Sequence, residues 1–176
     1  MGTQDIAAHV AAIPDFPIPG ILFRDITPVL MHPKAFEETI ALLAQAALAL
    51  PGGPPDVVVG MESRGFIFGA PLALRLGAGF VPIRKPGKLP RATVKAQYAK
   101  EYGNDALEMH ADALAGHPRV VIVDDLLATG GTAAAARELV KTAGGRVLGA
   151  VFVIELDGLK GRDKLPGLQV QSLLHY

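Results

Sequence analysis

The sequence predicts an α/β fold built on a twisted, mainly parallel sheet of about five strands flanked by helices. Three observations carry this. The runs Val57 to Val59, Val120 to Val123 and Val147 to Ile154 are almost purely apolar and rich in β-branched residues, as strands buried on both faces should be. The first two are each followed by a polar, glycine-containing turn, ESRGF at 62–66 and LLATGGT at 126–132. Behind each turn comes a stretch with helical spacing, so the order strand, turn, helix repeats.

From the amino end, Thr3 to Ala12 is expected as a short helix capped by Thr3, with Ile6, Val10 and Ile13 along one side. His9 beside that stripe is read as packing. Asp15 to Leu30 has no helical period, and Pro17, Pro19 and Pro28 exclude a central strand. It is expected as a defined irregular segment or a short edge strand. His32 and Pro33 open a helix to about Leu50, with Phe36, Ile40, Leu43 and Ala47 inside. Pro51 to Pro55 is a loop, Asp56 to Met61 a strand, and Phe66 to Leu76 a helix.

Gly79 to Lys85 is expected as another strand, with Pro82 pointing to an edge or a bulge. Composition then changes, because Arg84 to Tyr102 holds six basic residues before one acid, Glu101. Pro86, Gly87 and Pro90 make this a mobile basic loop over about 84–105, in which Thr93 to Tyr98 can pair as an extended arm. Ala106 to His110 is a further short strand, and Gly131 to Thr142 a helix whose small residues allow close approach to the sheet. Gly144 and Gly145 end it. Arg146 to Leu156 is a strand, LKGRDKLPG a polar helix and turn, and LQVQSLLHY a final strand.

Composition narrows the function classes. A chain of 176 residues fits one domain over 1–176. Its 17 basic and 17 acidic side chains cancel, which argues against nucleic acid or an anionic membrane surface as partner. Cysteine is absent, so disulfides and thiolate metal sites are excluded. His110 and His117 have no metal-ligand spacing. Met1 to Phe16 lacks the basic and apolar regions of a leader, and no segment approaches the ~20 apolar residues of a membrane span. The expectation is a cytoplasmic protein.

The chemistry concentrates in Arg119 to Thr132, RVVIVDDLLATGGT. Asp124 and Asp125 fall where the strand emerges at its carboxyl end, the edge at which open α/β sheets bind ligands. In the loop that follows, Gly130 and Gly131 let backbone approach an anion, and Thr129 and Thr132 offer hydroxyls. The helix behind points its positive end at the same place. Carboxylates repel phosphate, so the pair makes sense only with ribose hydroxyls or a cation between, and the ligand read from these residues is a sugar phosphate with magnesium.

VVIVDDLLATGGT resembles the signature of the type I phosphoribosyltransferases, which bind phosphoribosyl pyrophosphate (PRPP). The resemblance runs from Phe16 to Tyr176 and rests on four stretches in family order. It implies that Ala128, Thr129, Gly130, Gly131 and Thr132 hold the ribose 5-phosphate, and that Asp124 and Asp125 hold the ribose hydroxyls. At the second turn it places Ser63 and Arg64 on pyrophosphate, where a planar guanidinium can donate two hydrogen bonds. It also implies a non-proline cis peptide near Glu62 and Ser63. Arg84 and Lys88 would serve pyrophosphate, one of them in the neighbouring subunit's site of a homodimer.

FPIPGILFRDITPVL, within an amino-terminal hood of about 1–30, resembles the hood of those family members that act on adenine. On residues alone Phe23 reads as core and Arg24 as a partner of Asp25. The resemblance instead implies that backbone groups at Leu22 and Arg24 pair with the adenine edge, with Phe23 and Leu126 against its two faces. An acceptor and donor fixed in this way distinguish adenine from 6-oxopurines. Glu101, in AKEYG, matches an acidic position near the purine imidazole ring and is the candidate acid or base, with Arg64 as the second catalytic residue.

The activity implied is a purine salvage transfer of ribose 5-phosphate from PRPP to adenine, giving AMP and pyrophosphate. Mg2+ would be held mainly through PRPP and pyrophosphate, with no direct protein ligand. Two alternatives stay open: the same transfer to another purine base, and a non-catalytic regulator that senses PRPP.

Overall fold

The structure, a computed structural model, describes residues 2–99 and 104–176. The chain divides into two compact units, Met1–Leu42 and Leu43–Tyr176.

The first unit opens with α1, Thr3–Ala7, and a hairpin of β1, Ala11–Pro14, and β2, Leu22–Asp25, paired antiparallel from Ala11 opposite Asp25 to Pro14 opposite Leu22. The helix expected to reach Ala12 therefore stops at Ala7, and its N-cap is Gly2, not Thr3. The cause is tertiary, since Ala11 to Pro14 finds backbone partners on β2 that a helix running into Pro14 would forgo. Phe16 and Phe23 meet edge to face with centroids 5.1 Å apart. Asp25 ends the hairpin by accepting bonds from the Thr27 amide at 2.9 Å and its hydroxyl at 2.6 Å. Behind it comes a short helix that sequence patterning missed, α2, Thr27–Met31. The long helix α3, Pro33–Leu48, starts on the proline expected to open it.

The second unit is organised on a parallel sheet of β3, Val57–Met61, β4, Gly79–Ile83, β7, Arg119–Leu127, β8, Arg146–Glu155, and β9, Val170–His175. Their order across the sheet is β4-β3-β7-β8-β9. β4 is an edge strand, so the missing N–H of Pro82 interrupts no central ladder. Between β4 and β7 the chain forms an antiparallel hairpin of β5, Thr93–Ala99, and β6, Asn104–His110.

Alternate residues of the central strands, Val59, Met61, Val120, Ile122, Ala150 and Phe152, share one buried cluster with Ala133, Ala136, Leu139 and Val140 of α5, Gly131–Thr142. The intervening Val58, Val121, Val123, Val151 and Val153 are buried too. Burial on both faces is why these strands read as unbroken apolar runs. The helix α4, Arg64–Leu76, packs on β3, β4 and β7. At the amino ends of β3 and β7, Asp56 accepts three bonds from Arg119, at 2.8 Å from its amide and at 2.9 and 2.7 Å from its guanidinium. The carboxyl ends are left to the site.

Candidate active site

β7 does not stop at Val123. It continues through both acids to Leu127, and in these last residues burial alternates: Asp124 and Leu126 are partly exposed, while Asp125 and Leu127 are buried. Pairing with β8 sustains the extension, since Leu126 lies opposite Ile154 and Leu127 opposite Glu155. Between β7 and α5 only Ala128, Thr129 and Gly130 remain as loop. Gly130 has φ of 79° at the N-cap of α5, a left-handed conformation that side chains disfavour.

These residues open onto a cavity of about 290 Å³. Its walls include Asp124, Asp125 and Leu126 from the strand, and Ala128, Thr129, Gly130, Gly131 and Thr132 from the loop and the start of α5. Ser63 and Arg64 line it from the turn before α4. Two helices of 13 and 12 residues therefore begin at one cavity, as an anion site requires. The peptide bond between Glu62 and Ser63 is cis.

The electrostatics are lopsided. Among the described residues the walls carry the carboxylates of Glu62, Asp105, Asp124 and Asp125 against the cations Arg64 and Lys85. Asp125 is 4 % exposed, and its Oδ2 lies 3.0 Å from Arg64 Nε, whose side chain is 44 % exposed. Asp124 accepts the Asp125 amide at 2.9 Å. Burial, followed by the charge of Asp125, holds the Asp124 carboxyl well above the usual carboxylate range. The Asp125 carboxyl is raised by burial against the pull of Arg64. One guanidinium is thus not enough to settle two adjoining acids. Glu62 differs: the Lys85 amide donates to it at 2.9 Å, and this bond, followed by Arg84, lowers its carboxyl.

The other expected residues are placed as follows. Arg84 lies with Nε 3.4 Å from a Glu62 oxygen and donates from NH1 to the Lys88 carbonyl at 3.2 Å. Neither Arg84 nor Lys88 is among the residues that line the cavity. Leu22, Phe23 and Arg24 lie on the β2 hairpin of the first unit. Glu101 falls outside the described residues.

Sequence reasoning passed over Lys85, Tyr98, Asp105 and Phe152 and considered Glu62 only for its backbone, and all five line the cavity. For Glu62 and Lys85 the signal was available, because they lie one residue past the carboxyl end of β3 and two past that of β4, where this class of sheet binds ligands. Tyr98 and Asp105 reach the site through the hairpin register, with Tyr98 opposite Asp105 and its hydroxyl donating to the carboxylate at 3.2 Å. No local pattern announces that. One other group of ligand-type side chains, Glu155, Asp157 and His175, lies outside the cavity among the described residues. There the Glu155 carboxylate is already occupied by Arg162 and Ser172.

The arrangement can hold a phosphate on the loop, hydroxyls on the acid pair and a second anionic group at Arg64. Residues 26–167 match the phosphoribosyl transferase domain. Over 177 aligned residues the chain is 59% identical to an adenine phosphoribosyltransferase of Synechococcus sp. (strain CC9902), covering 100% of this chain and 99% of that one. The crystal structure of adenine phosphoribosyltransferase from Thermoanaerobacter pseudethanolicus superposes with a TM-score of 0.93 at 52% identity, covering 99% of each chain. That of the Saccharomyces cerevisiae enzyme, complexed with an imino-altritol bisphosphate and adenine, does so at 0.90 and 46%, covering 98% of each chain. With a domain match over most of its length and full-length relatives at this identity, the chain belongs to the phosphoribosyl transferase family, among relatives that are adenine phosphoribosyltransferases.

Proposed function

We propose that this chain transfers ribose 5-phosphate from PRPP to N9 of adenine, releasing pyrophosphate and forming AMP, a purine salvage reaction in the cytoplasm. The observation that carries the reading is the meeting of the Asp124–Asp125 pair, the Ala128 to Thr132 loop and Arg64 on one cavity.

Breaking the bond from the anomeric carbon to pyrophosphate builds positive charge on the ribose and negative charge on the leaving group. The task is therefore electrostatic and positional. In this reading the loop anchors the 5-phosphate, while Asp124 and Asp125 orient the ribose hydroxyls and stand near the cationic carbon. Arg64, with Ser63 beside it, receives the pyrophosphate. We assign the base to Leu22, Phe23, Arg24 and Leu126, and proton transfer on adenine to Glu101. Arg84 and Lys88 act on pyrophosphate, one of them across the interface of a homodimer.

Magnesium fits the donor set, which is hard oxygen, and the raised Asp124 and Asp125 carboxyls mark a place where positive charge is wanting. Mg2+ would be held mainly by PRPP oxygens, adjoining Asp124 and Asp125 through the ribose hydroxyls, and would neutralise the departing pyrophosphate.

The test is AMP formation from adenine, PRPP and Mg2+, beside hypoxanthine, guanine and a metal-free reaction. Metal-dependent product with adenine alone is expected. Product with a 6-oxopurine would overturn the base assignment, and PRPP binding without product would make the chain a sensor. Glu101→Gln should lower turnover by ~10² to 10⁴; full turnover would remove Glu101 from proton transfer.

A further inference from the structure

Glu155 ends β8 directly opposite Leu127, the last residue of β7 before the phosphate loop. Its carboxylate is 5 % exposed. Arg162 Nε and NH2 donate to its two oxygens at 2.7 Å each, and the Ser172 hydroxyl donates at 2.6 Å. The remaining arm, Arg162 NH1, donates to the Val170 carbonyl at 3.1 Å. The fork is thus committed to β8 and β9 together.

Arg162 belongs to the 3-10 turn Gly161–Lys164 and directly follows Gly161. A Cβ on Gly161 would run into the Ala128 carbonyl oxygen and the Leu127 side chain. A Cβ on Gly130 would run into the Gly161 carbonyl oxygen. Two glycine backbones therefore face each other with no side chain between, and one of them is the N-cap of α5. The direction of the first α5 amides follows from where Gly130 sits. Arg162 itself does not line the cavity.

We propose that Arg162 is a positioning residue for phosphate recognition: clamped on Glu155, it sets the Gly161 backbone as the abutment against which Ala128 to Gly130 take their shape. The inference rests on the PRPP reading. It separates the substrates, because the abutment touches the phosphate loop and has no part in the residues assigned to the base.

Arg162→Lys and Gly161→Ala, each made in the full chain, are the variants to compare with wild type by steady-state kinetics in both substrates, PRPP titration calorimetry and thermal unfolding. Arg162→Lys keeps the charge and loses the fork, so KM for PRPP should rise about tenfold while KM for adenine stays within about twofold. Gly161→Ala displaces the loop directly and should raise it on the order of 10²-fold. Should that variant fail to fold, Arg162→Lys decides alone. A folded Arg162→Lys with unchanged KM for PRPP overturns the proposal, as does an equal rise in both KM values, which a merely structural role would give. Failure of the wild type to bind PRPP overturns the functional reading and this inference with it, and that result is visible before any variant is made.

Discussion

Two strands that lie side by side in the sheet, β7 and β8, both carry acid near their carboxyl ends, and the two ends are opposites. Asp124 and Asp125 adjoin each other with one half-exposed guanidinium between them and solvent, and both carboxyls are raised. Glu155 has the whole fork of Arg162 and the hydroxyl of Ser172, and its carboxyl is lowered. Burial is the largest cause of the rise at both aspartates, whereas at Glu155 the hydrogen bond from Arg162 outweighs it. The supply of donors therefore decides the sign at Glu155. An acid whose partners are complete holds structure together, whereas an acid pair short of donors is poised for a ligand that brings them.

The largest effect should come from neutralising the unsettled end. Asp124→Asn is expected to lower kcat/KM for PRPP by about 10²- to 10³-fold, while the urea midpoint rises because a buried charge beside Asp125 has gone. A midpoint that falls would mean that Asp124 is a structural acid like Glu155 and would collapse the contrast. At the settled end stability is expected to fall instead. Glu155→Gln leaves Arg162 without its charge partner and should cost about 2 kcal/mol, less than a fully buried pair because Arg162 is half exposed. Urea unfolding measures it, and a stability equal to wild type would show the fork to be dispensable.

Smaller and more diagnostic is the pH dependence of stability. Glu155 titrates lower in the fold than its ordinary value of 4.5. Its contribution is therefore complete above that value and is lost as pH falls through the lowered one. Asp124 titrates higher in the fold than its ordinary value of 3.8, so the native state binds the extra proton, and stability declines as pH rises from there to the raised value. Unfolding free energies from about pH 3 to about pH 8 should show a shallower acid limb in Glu155→Gln, where the lowered Glu62 and Asp56 keep part of it, and a shallower upper decline in Asp124→Asn, where Asp125 keeps part of it. The smallest effect sets the baseline. Lys141 and Glu138 are an exposed pair 3.3 Å apart on α5, and Lys141→Ala should change stability by less than about 0.5 kcal/mol with turnover unaltered.

Much of the site was legible because it is local. The acid pair, the loop and the start of α5 are contiguous in sequence, and α5 spans Gly131–Thr142 as its pattern required. Strand-end placement likewise put Arg64 at the cavity. Reading the loop as starting at Leu126 was an error of the same local reasoning, since Leu126 and Leu127 join the strand only because β8 is there to pair with them. The helix expected over Thr3 to Ala12 failed for a similar reason, its second half being claimed by a strand later in the chain.

By itself the sequence determined the parallel sheet, the order of its elements, the restriction of Pro82 to an edge or a bulge and the glycine loop before α5, because apolar runs, proline and glycine act on the backbone within a few residues. Only the tertiary structure decided that Lys85, Tyr98, Asp105 and Phe152 share the cavity with Asp124, that Gly161 abuts Gly130, and that Glu155 is spoken for by Arg162. Those facts depend on strand register and on backbones meeting across long stretches of chain. They follow from the sum of many packing contacts, which no single stretch of residues contains.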